Sequence, residues 1–298
     1  MRYDLVVVGH IVLDHISRKG ATHGPALGGP SVYASLAART LGSSVGVVST
    51  VGPDFGHKRV SWLRAHEIYV QNIRVANRPT TSFRLNYQDS ARSMKVTSVC
   101  NPINAEDVAR TPSSSAIHIG PVLQEIAPPL VERLAKQDAA VGLDPQGYLR
   151  QLAPDGSVRM KKWRDGGLLK KISLLKVSDD EFVALRGRRE SPRALSKVGP
   201  DIVVVTRGAE GSIVWSKEEG SFMVPAYRTR VEDPTGAGDA MAGAFLVTWN
   251  RTYDLVWSAA VGSAVASFVV EKLGPKSFGN SRQIEDRAQR ILEHAVRL

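Results

Sequence analysis

Short continuous apolar runs recur along the chain at residues 5–8, 45–51, 116–119, 140–143, 174–177 and 201–205. Runs of this kind suit strands buried on both faces of a parallel sheet. Between them lie longer stretches with helical spacing, at 32–41, 58–66, 128–136, 255–270 and 284–298. From Ala116 onward strand and helix patterns alternate, which predicts a parallel sheet with crossover helices. Residues 80–99 behave differently. Thr81, Phe83, Leu85 and Tyr87, then Met94, Val96 and Val99, alternate with polar positions around Gln88-Asp89-Ser90, a hairpin pattern. Residues 17–27 are polar and Gly-containing and predict a mobile connection, and 161–171 read as a basic connector.

At 298 residues the chain has room for one large α/β domain or two ordinary ones. Its 43% hydrophobic and 23% charged content are those of a soluble globular protein. No apolar run approaches bilayer-spanning length. The opening Met1-Arg2-Tyr3-Asp4-Leu5-Val6-Val7-Val8-Gly9 reads as a first strand, not a secretion signal. Cys100 is the only cysteine, so no internal disulfide forms, and a reducing cytoplasm fits. The net charge of +10 brings nucleic acid into consideration. Yet Lys161-Lys162-Trp163-Arg164 and Arg186-Gly187-Arg188-Arg189 are short clusters without interleaved aromatics. A solvated surface that attracts anionic nucleotides is the better reading.

Candidate chemistry centres on residues 231–245, which pass through Asp233-Pro234-Thr235-Gly236-Ala237-Gly238-Asp239 into an apolar helix reaching about Asn250. Gly236 and Gly238 permit close backbone approach. A helix start leaves N–H groups unpaired at the positive end of its dipole, which suits phosphate. Asp239 then stands beside that place. A plain tight turn with a capping acid explains the same residues. The dinucleotide fingerprint fails for want of a third Gly, since Met241 stands there, and Gly274-Pro275-Lys276-Ser277 is no Walker A loop.

Other candidates sit just past predicted strands, where open α/β sheets place ligands. Asp14 follows the first. Asp144, Gln146 and Arg150 follow residues 140–143, where they could clasp a polyhydroxylated ligand or simply form a turn and a surface. Ser178-Asp179-Asp180-Glu181 reads as a metal cluster or as acids favoured at a helix start. Thr206-Arg207-Gly208-Ala209-Glu210-Gly211 is at least a strand-to-strand turn.

In this order the motifs resemble the ribokinase-like (PfkB-type) carbohydrate kinases from end to end, with inositol-kinase-like members closest. The resemblance implies a three-layer α/β/α sandwich in a single domain, residues 1–298, with a small β lid from about 12–27 and 78–100. It implies ATP-dependent transfer to a hydroxyl of a polyol, myo-inositol foremost, with a nucleoside or simple sugar as the alternative and a non-catalytic binder less favoured. Asp239 becomes the base, and the amides of Gly236, Ala237 and Gly238 the anion hole. Asp14, Gly28, Gly29, Tyr33, Arg92, Asp144, Gln146 and Arg150 become acceptor contacts. Tyr33 replaces an Asn common in the family, and Arg84 is a further candidate on the lid. Ser178, Thr206, Gly208, Gly211 and Ala264 border the nucleotide, with adenine between the helix 255–270 and the loop 271–278. Glu181 acts on Mg2+ through water, although Ser178 stands where the family shows Asn. Asp233 frames a loop for a monovalent cation such as K+. Paired lid edges imply a homodimer, and neither membrane nor nucleic acid is an expected partner.

Overall fold

The computed structural model describes residues 2–18, 21–88, 91–164, 167–186 and 199–298. Asp89 and Ser90 of the predicted hairpin turn, and residues 187–189 of the second basic cluster, lie outside them. In chain order the first part carries β1 (Tyr3–Val8), β2 (Val12–Arg18), β3 (Ala21–Gly28), α1 (Pro30–Thr40), β4 (Val45–Val51), α2 (Gly56–Ala65) and β5 (Ile68–Val75). The middle carries β6 (Ser82–Gln88), β7 (Ala91–Ser98), α3 (Ala105–Ala109), β8 (Ser114–Ile119), α4 (Pro128–Leu134), β9 (Ala140–Leu143), β10 (Arg150–Leu152) and β11 (Val158–Met160). The last part carries β12 (Leu174–Ser178), α5 (Asp179–Arg186), β13 (Ile202–Thr206), β14 (Ser212–Ser216), β15 (Gly220–Val224), α6 (Ala237–Thr252), α7 (Leu255–Val269), α8 (Ser281–Leu292) and β16 (Val296–Arg297).

Among the described residues these strands make one ten-stranded sheet in the order β16-β15-β14-β13-β12-β9-β8-β1-β4-β5. Strands β5 through β13 of that order pair in parallel, and β14 to β16 close the far edge antiparallel. The parallel strands are apolar throughout because both faces are covered. Successive residues turn to opposite faces. Leu174 packs with residues of α1, α6, α7 and α8, whereas its neighbour Leu175 packs with residues of α3, α4 and α5. The result is the three-layer α/β/α arrangement that the resemblance implies.

A second, four-stranded sheet has the order β3-β2-β6-β7, with β2 and β6 parallel and the outer pairs antiparallel. It corrects the expectation for residues 17–27. Their described part is strand, because β2 is held on one flank by β3 and on the other by β6. Local propensity gave no hint of that, since the support comes from residues seventy positions away. The base of this sheet is tied down by Asp54, whose Oδ1 accepts both the N–H and the hydroxyl of Thr80 at 2.8 Å. The chain end departs from expectation as well. Helix α8 stops at Leu292, and residues 296–297 instead pair with β15.

Candidate active site

The small sheet overlies a polar cleft of about 180 Å³, lined also by the turn after β9, by Lys176 on β12 and by Thr235, Gly238 and Asp239 at the start of α6. Its floor is the start of α6. Gly236 caps that helix in the left-handed region, at φ 79°, and a Cβ there would stand 2.3 Å from the Tyr33 ring. No other residue fits that junction without strain. Gly238 leaves room of a different kind, since a Cβ on it would lie 2.8 Å from Lys176 Nζ. Helix geometry leaves the first-turn N–H groups without intrahelical acceptors. Ala240 is the first to bond back, to the Gly236 carbonyl at 2.8 Å. Of the three amides assigned to anion binding, that of Ala237 donates to the Pro234 carbonyl at 3.4 Å, a long contact.

Asp239 lies on this floor, and its Oδ1 accepts a hydrogen bond from Gln146 Nε2 at 3.2 Å. Burial and the nearby Asp144 carboxylate push its pKa from 3.8 up to about 7, against the pull of Lys176, Arg150 and Gln146. Gln146 and Arg150 form the facing wall. Both are delivered by the turn after β9, where Asp144 Oδ1 accepts the Gln146 N–H. Arg150 is steadied by donating to the Val122 carbonyl at 3.2 Å. Above them the small sheet contributes Asp14, Phe83, Leu85 and Met94. Asp14 is almost wholly buried, and it fits because Gly28 opposite has no side chain; a Cβ there would be 2.1 Å from Asp14 Oδ2. Gly29 also lines the cleft.

Several expected contacts stand elsewhere. Tyr33 is 1% exposed and packs under Gly236 beside Phe278, with ring centroids 6.2 Å apart, so it supports the turn from beneath. Asp144 is fully buried and faces Lys176, with Nζ 2.7 Å from Oδ2. Ala264 is fully buried in the core that α7 shares with α6. The Arg92 side chain lies outside the described residues, and Arg84 is exposed on β6.

Of the residues expected at the nucleotide, Ser178 and Glu181 form a reciprocal cap of α5. Glu181 Oε2 accepts the Ser178 N–H at 2.7 Å, and Ser178 Oγ accepts the Glu181 N–H at 3.3 Å. Burial raises the Glu181 pKa, and Asp144 adds to the effect while Lys176 opposes it. Thr206 donates to the Val177 carbonyl at 3.4 Å. Gly208, at φ 56°, has open space where a side chain would be. Gly211 is the reverse, since a Cβ would meet the Val224 carbonyl at 2.2 Å, so its role is to let β14 and β15 close. Asp233 is buried and accepts the N–H of Thr235 through Oδ1 and of Gly274 through Oδ2, binding the turn to the loop beyond α7. Among the described residues no three His, Cys, Asp or Glu side chains converge as a metal cage, and no helix is long and apolar enough to cross a membrane.

Sequence reasoning passed over Lys176. In Leu174-Leu175-Lys176-Val177 a lysine on a buried strand was the available signal, because an ammonium is almost never taken inside without a partner. A larger pocket of about 330 Å³ lies apart from the strand ends, between Leu36, Arg39, Glu67 and Phe278. It has neither the helix start nor Asp239.

Residues 3–281 match the pfkB family carbohydrate kinase pattern. The inositol 3-kinase of Arabidopsis thaliana is 27% identical over 299 residues, covering 96% of this chain and 80% of that protein. The cytidine kinase of Thermococcus kodakarensis is 25% identical over 292 residues, 91% of this chain and 97% of its own. A pyrophosphate-dependent kinase in the ribokinase family, solved with sulfate, superposes with a TM-score of 0.83 at 24% identity over 94% of this chain and 99% of that one. A pyrophosphate-dependent kinase complexed with a pyrophosphate analog and myo-inositol gives 0.82 at 23% identity, covering 95% and 99%. The fold is thus ribokinase-like, and the chain belongs to the pfkB family of carbohydrate kinases, phosphotransferases whose acceptor is an alcohol group.

Proposed function

We propose that the chain transfers the γ-phosphoryl group of ATP to a hydroxyl of a cyclic polyol, with myo-inositol as the leading acceptor. The observation that carries this reading is Asp239 on the cleft floor at the α6 start, within hydrogen-bonding distance of Gln146 and facing Arg150. An acceptor hydroxyl directed at Asp239 is oriented by it and gives up its proton late, as the new P–O bond forms. The amides at the α6 start stabilise charge on the transferring group, the larger part of catalysis in such reactions. Asp14, Gln146 and Arg150 hold the remaining hydroxyls, and the small sheet serves as the lid. Names of relatives support the polyol: both the Arabidopsis protein and a 27% identical protein of Oryza sativa are called inositol 3-kinase.

Magnesium fits as a passenger on the donor phosphates, since among the described residues no three His, Cys, Asp or Glu side chains form a cage for it. Glu181 would meet it through water, and the ion would neutralise charge on the outer phosphates. Thr206 and Gly208 border the donor. Because the two structures with the TM-scores given above are named pyrophosphate-dependent, pyrophosphate is the second donor to measure. Potassium at the Asp233 loop and a dimer paired through the β3 edge complete the reading, checked by KCl titration and sedimentation.

The deciding experiment measures kcat/KM for myo-inositol, ribose and cytidine with ATP·Mg and with pyrophosphate·Mg. Highest turnover on myo-inositol with ATP is expected. Faster reaction of cytidine overturns the polyol assignment, and no turnover on any pair favours a non-catalytic binder.

A further inference from the structure

Lys176 sits where a cation has most effect on a phosphoryl group. It lies on β12, the strand beside β9, with 6% of its surface exposed, and its side chain reaches the cleft wall. Its Nζ is 2.7 Å from Asp144 Oδ2 and occupies the space directly over Gly238, the second residue of α6. Any side chain at position 238 would displace it, since even a methyl carbon would come within 2.8 Å. The glycine therefore does more than free the backbone: it lets an ammonium stand over the same helix start whose dipole already favours an anion.

We propose, resting on the kinase reading above, that Lys176 is a catalytic residue that contacts the phosphoryl group in flight, and that Asp144 is its counter-ion, not an acceptor ligand. With the cleft empty, Asp144 holds the ammonium and keeps it from being a lone buried charge. When a donor enters, Nζ turns toward the terminal phosphoryl oxygens while keeping its contact with Asp144. In the transfer the bridging P–O bond of the donor breaks and its electron pair leaves with ADP, or with phosphate when pyrophosphate is the donor. A new P–O bond forms to the acceptor oxygen, whose proton passes to Asp239. Lys176 keeps its proton throughout. Burial alone would favour losing that proton, but the carboxylates of Asp144, Glu181 and Asp239 outweigh it and hold the Lys176 pKa above its ordinary value. Charge balance leads to the same assignment. Asp239 in the cleft and Asp144 buried behind Lys176 already place two carboxylates here, and a further anionic group needs fixed cations beside it, Lys176 over the helix start and Arg150 on the facing wall.

The test compares the parent with Lys176→Met/Asp144→Asn, which removes the pair together and avoids an orphaned carboxylate. Calorimetry with ATP·Mg, pyrophosphate·Mg and ADP·Mg, without any acceptor, reads the contact independently of which polyol is used. The double variant should bind ATP·Mg and pyrophosphate·Mg about tenfold more weakly, as expected for one lost charge-assisted hydrogen bond, and ADP·Mg within about twofold of the parent. With the best acceptor of the panel, kcat should fall about a hundredfold or more while acceptor KM stays within about threefold. Equal loss of all three ligands marks a structural role and overturns the proposal, as does unchanged binding of both donors. A parent with no turnover removes the polyol kinase reading, and the donor titrations then still decide for or against Lys176. Lys176→Arg, which keeps the charge, should recover donor affinity; failure to do so also counts against the proposal.

Discussion

Two glycine-bearing junctions open helices beside the same cleft, and they differ in what their glycines are for. At α1, Gly29 caps the helix with φ 83°, close to the φ 79° of Gly236 at α6. A Cβ on Gly29 would press within 2.8 Å of the His10 carbonyl, and Ser31 Oγ bonds the Gly9 carbonyl at 2.7 Å. The amides of Val32 and Tyr33 both return to Gly29. This junction is packed against backbone, and its first turn carries no acid. The α6 junction faces open space, a lysine and Asp239. A positive φ thus serves packing in one place, where ψ is 167°, and leaves an anion-ready surface in the other, where ψ is −5°. What distinguishes them is the charge installed nearby.

The contrast is broken most sharply by Asp239→Asn. Turnover should fall by about three orders of magnitude or more, with donor affinity close to the parent's; single-turnover kinetics and calorimetry check both halves. The same variant should melt higher at pH 8. The folded-state pKa is raised from 3.8 to about 7, so the carboxyl favours folding below pH 4 and that contribution is lost as pH climbs toward 7. Asparagine avoids the loss, and thermal melts at pH 4 and pH 8 should show the gap only at the higher value. Next in size is Gly236→Ala, which meets the Tyr33 ring at 2.3 Å in a left-handed backbone. A stability loss of about 3 kcal/mol is expected by denaturant titration, with activity lost alongside. Gly29→Ala should lose about 2 kcal/mol but keep more of kcat, because its clash is with backbone away from Asp239. Arg150→Ala sharpens the comparison from the opposite wall. Acceptor KM should rise about tenfold, with donor KM nearly fixed. Smallest is the pH effect, in which kcat/KM for the parent rises through about pH 7 as Asp239 ionises and then levels.

Much of the α6 junction was readable before any coordinates, because its residues are consecutive and each has a local reason to be there. The β8–α4–β9 unit was legible for the same cause, its alternating apolar runs needing no distant partner. Asp144 and Tyr33 were placed in the right neighbourhood but on the wrong side of it. Sequence order says that a residue follows a strand, and only the sheet register says that Asp144 turns toward a lysine one strand away. Lys176 was passed over for the complementary reason. A single charge inside an apolar run gives no periodic signal, and its meaning depends on what three separate segments bring to it. Local pattern gave no strand at β3, although the resemblance implied a β lid over 12–27, because its polar, glycine- and proline-containing sequence has little intrinsic preference and borrows its extended form from β2.

The pairing of Val296 and Arg297 with β15 has a practical corollary. A strand left with one bare flank recruits whatever chain comes by, and two residues are a very short cover. Trimming 296–298 would uncover β15 and invite clumping during purification. Leu298, whose N–H donates to the Ser221 carbonyl at 2.9 Å, lengthens that cover by one rung, so disturbing it would bare the same flank.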